Sequence, residues 1–336
     1  MKLDIFKDCE FYDLERLKIK GNLIKVPSSN GFNYDYMLYI PDNIRNDVTM
    51  IIEGANVPNT CNTIEEANAL VFRTGRYPGL PIYEVANELG LPVIYPLFPR
   101  IFDNSSDRVT IYNHMLSTNS LSNDTECLIE NGLNRVDLQL IEMFKDASKR
   151  LEEMNISVDS KFIIDGFSAS AKFANRFTIL HPEYVRICIG GGISGALTLP
   201  IKKLGNQILK WPVGVGNLEE LGIELSSEQM EKFMQVDQLY YQGELDTNDP
   251  FIFDKQGNAC YKGLINTDEL IQLYEVFGSA SMYDRWQRAQ ELYNDLGVNV
   301  NFVTYKESSH TPEPAYKDIK LKISNVLGLE VKDKTK

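Results

Sequence analysis

One stretch constrains this chain more than any other. Phe162-Ile163-Ile164-Asp165-Gly166-Phe167-Ser168-Ala169-Ser170 runs an apolar segment into a turn, and Ala169–Leu180 beyond it has the periodicity of an amphipathic helix. A buried strand that becomes a helix this abruptly leaves its turn no room for bulk. Gly166 stands two residues before Ser168 and Ser170 two residues after it, both small. Such a junction holds the Ser168 hydroxyl clear of its own backbone. It also sets the Ala169 N–H at the positive end of a helix dipole.

The rest of the chain repeats the same alternation. Strands are expected at Val48–Glu53, Leu91–Tyr95, Lys161–Asp165, Val185–Ile189, Gln238–Gln242 and Val298–Tyr305. Helices are expected at Pro81–Leu89, Val136–Glu153, Ala169–Leu180, Thr267–Phe277, Met282–Leu296 and Lys317–Val326. In Val136–Glu153 the apolar face is Leu140, Ile141, Phe144, Ala147 and Leu151. His181-Pro182 ends the helix after Ser168, because the residue before proline avoids the helical region. Strands interleaved with helices make an α/β protein with a mostly parallel sheet. The first residues differ. Leu17–Lys20 and Leu23–Val26 flank Gly21-Asn22, which reads as a hairpin or bulged strand, and Tyr34–Ile40 is a further strand, so the start of the sheet is expected to be antiparallel. Residues 98–132 are polar and loop-like, a length that covers a site or hides short helices. No repeat or linker interrupts the chain. Residues 1–330 are read as one domain with an insertion or lid at about 193–235, holding a helix at Ser227–Met234, and residues 331–336 as a frayed tail.

Composition narrows the partners. The formal charge of -13 disfavours nucleic acid and anionic membranes, and no dense Lys/Arg run offsets it. The N-terminus lacks an apolar signal core and no stretch has the length of a membrane span, so a cytoplasmic location is expected. The five cysteines are scattered, without a Cys-x-x-Cys pair, which fits free thiols and gives no metal site. Asn104, Asn123 and Asn155 sit in Asn-x-Ser/Thr and are expected to stay unglycosylated without a secretory route.

A serine hydroxyl needs a base to become a nucleophile. Three histidines are available. His310, in Ser308-Ser309-His310-Thr311-Pro312, follows the last expected strand. His181 reads as a helix-end residue doing capping or surface packing, and His114 lies in the polar stretch without a partner pattern. The base needs a carboxylate to fix its tautomer. Asp246, in Gly243-Glu244-Leu245-Asp246, follows the penultimate strand, with Asp249 second and Glu244 third. For an oxyanion, Ala169 supplies one N–H. The turn Glu53-Gly54-Ala55-Asn56 supplies the other from Ala55, with Asn56 as the alternative. Asp165, just before the elbow, reads as structural. One motif points elsewhere. Gly190-Gly191-Gly192-Ile193-Ser194-Gly195 matches the dinucleotide pattern, but Leu197-Thr198-Leu199-Pro200 follows where a helix should open. It reads as a flexible glycine turn at a strand end.

Residues 48–312 resemble the α/β-hydrolase superfamily, through the Gly-Phe-Ser-Ala-Ser elbow, the Gly-Glu-Leu-Asp turn, the Ser-His-Thr-Pro loop and the Glu-Gly-Ala-Asn turn. The chain looks most like bacterial esterase-like members of unassigned substrate. The resemblance implies an eight-stranded, mostly parallel sheet flanked by helices, with an insertion after strand six. It also implies hydrolysis of a small-molecule ester through an acyl-enzyme, by Ser168, Asp246 and His310, without cofactor or metal. An acyltransferase or peptidase would use the same triad, and an inactive copy of the fold would serve as a binding module. With a histidine as base, the rate is expected to fall as pH drops through roughly 6–7. Neither the ester nor the oligomeric state follows from the sequence.

Overall fold

A computed structural model describes residues 3–15, 18–56, 61–76, 81–103, 109–278 and 280–330. The expected tail at 331–336 and the Asn104 motif lie outside these residues. The main sheet contains β1 (Glu10–Tyr12), β2 (Gly21–Val26), β3 (Tyr36–Pro41), β4 (Ile51–Glu53), β5 (Val93–Pro96), β6 (Phe162–Phe167), β7 (Val185–Gly191), β8 (Asp237–Gly243) and β9 (Val300–Tyr305). Their order across the sheet is β1-β2-β3-β5-β4-β6-β7-β8-β9. The pairs from β5 to β9 are all parallel. The pairs from β1 to β5 are all antiparallel. The central strands bury both faces, so Ile51, Ile52, Ile163, Ile164, Ile187 and Ile189 are all core residues. That is why they read as apolar runs rather than alternations.

Eight helices of useful length accompany the sheet among the described residues. They are α1 (Ile64–Gly75), α2 (Pro81–Leu89), α3 (Val136–Glu153), α4 (Ala169–Leu180), α5 (Ser227–Gln235), α6 (Thr267–Phe277), α7 (Met282–Asp295) and α8 (Tyr316–Leu327). The expected helices fall on these to within a residue or two. None is long and apolar enough to cross a membrane.

The structure corrects the reading at several points. The sheet has nine strands rather than eight, because β1 adds an outer antiparallel partner to β2. Gly21-Asn22 is not a hairpin turn. Gly21 opens β2 opposite Pro41 with φ +150°, and a Cβ there would lie 2.2 Å from the Ile40 carbonyl oxygen. Helix α1 was not expected, although Thr63 and Glu66 carry an N-cap signal. The Thr63 hydroxyl accepts from the Glu66 N–H at 3.2 Å. In the polar stretch at 98–132, the described residues 98–101 and 111–121 are largely buried. The stretch holds a small hairpin of Phe102–Asp103 with Val109–Thr110, and short helices at Thr118–Leu121 and Glu126–Glu130. The insertion carries another hairpin, Lys203–Leu204 with Gln207–Ile208, then α5. Fully buried Trp211 ties the two together, donating its indole N–H to the Leu116 carbonyl at 2.8 Å.

Candidate active site

The turns that matter all leave the carboxyl ends of parallel strands, where ligands bind in open α/β sheets. Residues 54–56 follow β4, Ser168 follows β6, Asp246 follows β8 and His310 follows β9. Ser168 sits between β6 and α4 with φ 60° and ψ −114°, a conformation that strains any residue but glycine. Its N–H donates to the Gly191 carbonyl at 2.8 Å. The tight turn works because Gly166 has no Cβ, which would lie 2.3 Å from the Ser170 backbone. Ser170, where glycine is usual, is more than tolerated. Its Oγ accepts from the Phe167 N–H at 2.9 Å and donates to the Phe167 carbonyl at 3.0 Å. One buried hydroxyl thereby satisfies both polar groups of the residue before Ser168.

Asp246 and His310, 64 residues apart, are brought together. The His310 Nδ1 lies 2.7 Å from Asp246 Oδ2. The Asp246 side chain is fully buried, while that of His310 is 25% exposed. Asp246 is itself held: it accepts from the Gln242 amide at 2.5 Å and from the Asn248 N–H at 2.9 Å. The amide of Asn248 then reaches across the site, 2.9 Å from His310 Nε2 and 3.5 Å from Ser168 Oγ. An amide NH₂ beside Nε2 assigns that nitrogen as acceptor and Nδ1 as the protonated one. This is the tautomer that leaves Nε2 able to take a proton. Asn248 was not singled out from the sequence. It has no motif around it, and only the fold places it between Ser168 and His310.

The other candidates stand elsewhere. Asp249 pairs with Arg285 at 2.7 Å and accepts from the Phe251 N–H. Glu244 is exposed and accepts from the Glu307 N–H at 3.1 Å. His181 is not a surface residue. It is buried, with Nε2 2.8 Å from Asp137, which also receives a two-pronged bond from Arg135. His114 is buried too, stacked on Tyr112, with neither ring nitrogen partnered among the described residues. Burial and the charges of Arg100 and Lys172 hold its pKa well below the usual histidine value. Ala169 and Ala55 are both buried beside Ser168's turn and the β4 turn. Asn56 ties those turns together, its side chain donating to the Phe167 carbonyl at 3.0 Å.

The glycine run reads differently in three dimensions. Gly190 and Gly191 lie inside β7, and a Cβ on Gly191 would fall 2.0 Å from the Tyr241 ring. Gly192 makes the turn at φ +61°, and a Cβ there would come 2.8 Å from His310 Cε1. These glycines make room for an aromatic ring and for the imidazole, and no helix opens after them. Beneath the elbow, Glu53 and Asp165 face each other in register on β4 and β6, both buried. Burial, then the neighbouring carboxyl, raises Glu53 well above its usual range, and burial pushes Asp165 up to about 6. The two carboxyls form a tightly coupled buried pair that strand register creates.

Neither a protein-family model nor a curated protein sequence matches the chain. Solved structures do resemble it. A poly(aspartic acid) hydrolase from Sphingomonas sp. KT-1 is 13% identical over 91% of this chain and 98% of its own, with a TM-score of 0.56. A poly(3-hydroxybutyrate) depolymerase from Bordetella parapertussis is 12% identical over 96% of this chain and 94% of its own, with a TM-score of 0.53. Identities this low speak to architecture alone. With the strand order, the elbow and these neighbours together, the chain has the α/β-hydrolase fold.

Proposed function

We propose that the chain is a serine hydrolase that cleaves a carboxylic ester of a small molecule through an acyl-enzyme. The observation that carries this reading is the 2.7 Å bond from His310 Nδ1 to buried Asp246, with Nε2 on the Asn248 amide that also reaches Ser168 Oγ. Ser168 Oγ attacks the ester carbonyl carbon while its proton passes to His310 Nε2. Asp246 fixes the tautomer and stabilises the imidazolium. The carbonyl electron pair moves onto oxygen, where the N–H groups of Ala169 and Ala55, or of Asn56 in place of Ala55, receive it. One such donor is worth about 10²–10³ in rate. Collapse expels the alcohol, which takes the proton back from His310. Water then repeats the cycle on the acyl-enzyme and releases the acid. No metal or cofactor enters this scheme.

Labelling with a fluorophosphonate probe, run beside hydrolysis of p-nitrophenyl butyrate, tests it. The native chain is expected to label and to turn over, and Ser168→Ala to do neither while melting at the same temperature. A folded native chain that neither labels nor turns over overturns the proposal in favour of a binding module. Adding a competing alcohol or a peptide amide separates a hydrolase from an acyltransferase or a peptidase by its products.

A further inference from the structure

Helix α4 carries a second chemical group on the site side of the fold. Lys172 lies four residues after Ser168, so its Cα stands about 6 Å along the helix axis. It is 2% exposed, and no described residue offers it a hydrogen-bond acceptor or a carboxylate within 4 Å. Its ammonium sits 5.2 Å from the ring centre of Phe251 on the loop after β8. The two acids whose charges reach it are already engaged, Asp249 with Arg285 and Asp246 with His310. Arg176 and Arg285 are the further charges that bear on it. Arg176 donates to the Met115 carbonyl at 2.7 Å and to the Thr198 hydroxyl at 3.2 Å. The turn at Asn113–Met115 packs on the same helix and brings His114, whose two ring nitrogens lack partners. Arg100 follows behind it, stacked on Tyr112 with its guanidinium 4.4 Å from the ring centre.

An ammonium and an imidazole buried together without acceptors are expensive in any fold. Water-exposed alternatives would need no compensation, and an apolar pair would pack better. Asp246 and Asp249 each have a partner, while these two groups do not. The missing group is an acceptor of negative charge, within one helical turn of the attacking hydroxyl. We propose that Lys172 and His114 form an anion-binding subsite for the acyl part of the substrate, so that the ester cleaved at Ser168 carries a carboxylate at the far end of a short acyl chain. This deepens the hydrolase reading and rests on it. With Lys172 one helical turn from Ser168, the acid is a short dicarboxylic one, its free carboxylate held by the Lys172 ammonium and one His114 N–H. The Phe251 ring lies beside the ammonium.

The test compares mono-p-nitrophenyl glutarate with p-nitrophenyl butyrate on the native chain and on Lys172→Met and His114→Phe. The native chain is expected to favour the glutarate ester at least 10-fold in kcat/KM at pH 6.5. Lys172→Met is expected to lose that preference through KM, with butyrate turnover unchanged. His114→Phe is expected to lose part of it. Because burial brings the Lys172 ammonium down to about 7, the native preference is also expected to fade as pH rises past that point in the free enzyme. Turnover of both esters without preference overturns the subsite and leaves the hydrolase reading intact. Turnover of neither, without fluorophosphonate labelling, overturns the hydrolase reading itself. If Lys172→Met melts far below the native chain, Lys172→Gln and the pH dependence of the native preference decide the matter.

Discussion

The molecule holds two aspartate–histidine pairs of nearly equal length, 2.7 Å at Asp246–His310 and 2.8 Å at Asp137–His181. In both, the aspartate side chain is fully buried. They differ in what surrounds the bond. His310 meets its acid through Nδ1, hangs from a loop after β9 and turns Nε2 to the amide of Asn248, which also reaches Ser168 Oγ. His181 meets its acid through Nε2, caps the C-terminus of α4 and packs on Phe177. Asp137 also takes Arg135 in a two-pronged bond. One pair leaves a proton acceptor at the mouth of a strand end. The other neutralises a buried carboxylate in the first turn of α3 and joins that helix to α4. The bond itself therefore carries no functional information. The free nitrogen and its neighbours do.

The sharpest way to break this contrast is to delete each imidazole. His310→Ala is expected to lower kcat/KM by roughly 10⁴-fold or more with little change in melting temperature. His181→Ala is expected to leave kcat within a few-fold and to destabilise the fold by about 1–3 kcal/mol, since it strips a partner from a buried acid. Ester turnover and thermal melts on both variants decide it, and a stable but inactive His181→Ala would end the distinction. Acid titration sharpens it further. Burial raises the Asp137 pKa, but the hydrogen bonds from His181 and Arg135 outweigh burial and hold it down to about 2. A carboxyl lowered in the fold contributes stability above its unfolded value near 4, and loses it as pH falls toward 2. The drop from the usual aspartate value of 3.8 corresponds to about 2–3 kcal/mol. The stability gap between the native chain and Asp137→Asn in urea melts is expected to shrink over that window. A gap independent of pH would mean that Asp137 acts by packing rather than charge.

Much of this was legible in the sequence because it is local. The β6–Ser168–α4 junction announces itself through an apolar run, small flanking residues and a helical period. Asp246 and His310 follow strands that the same periodicity marks. The strand count failed at β1, since a three-residue edge strand has no pattern to detect. The α1 cap was legible at Thr63 and Glu66 and went unread. The burial of residues 98–101 and 111–121 was not legible. Some of their polar groups bond to backbone well along the chain or to the insertion, as with Asn113 donating to the Pro99 carbonyl and the Leu116 carbonyl accepting from Trp211. The same holds for His181, whose partner lies 44 residues away, and for the Glu53–Asp165 pair, which only strand register creates. Long-range pairing leaves no period in the chain, so polarity there looked like solvent exposure.

The smallest expected effect concerns Asn248, whose side-chain amide reaches both Ser168 and His310. Its backbone is fixed: its N–H donates to Asp246 and its carbonyl accepts from the Ser194 hydroxyl at 3.0 Å. Only the side chain is free to swing. In the position it holds, the amide occupies the lone pair of His310 Nε2 that must take the Ser168 proton. Asn248→Ala removes a hydrogen bond worth about 1 kcal/mol from the resting site, so fluorophosphonate labelling is expected to quicken by roughly 2–10-fold. Asn248→Asp sets a carboxylate against Nε2, favours the imidazolium and should slow labelling most at the acid end of the profile. The corresponding change at the other pair has no such handle, because Nδ1 of His181 faces no nucleophile. Labelling slowed tenfold by Asn248→Ala would reverse the assignment: the amide would then be a donor to the reacting oxygen rather than an occupant that substrate displaces.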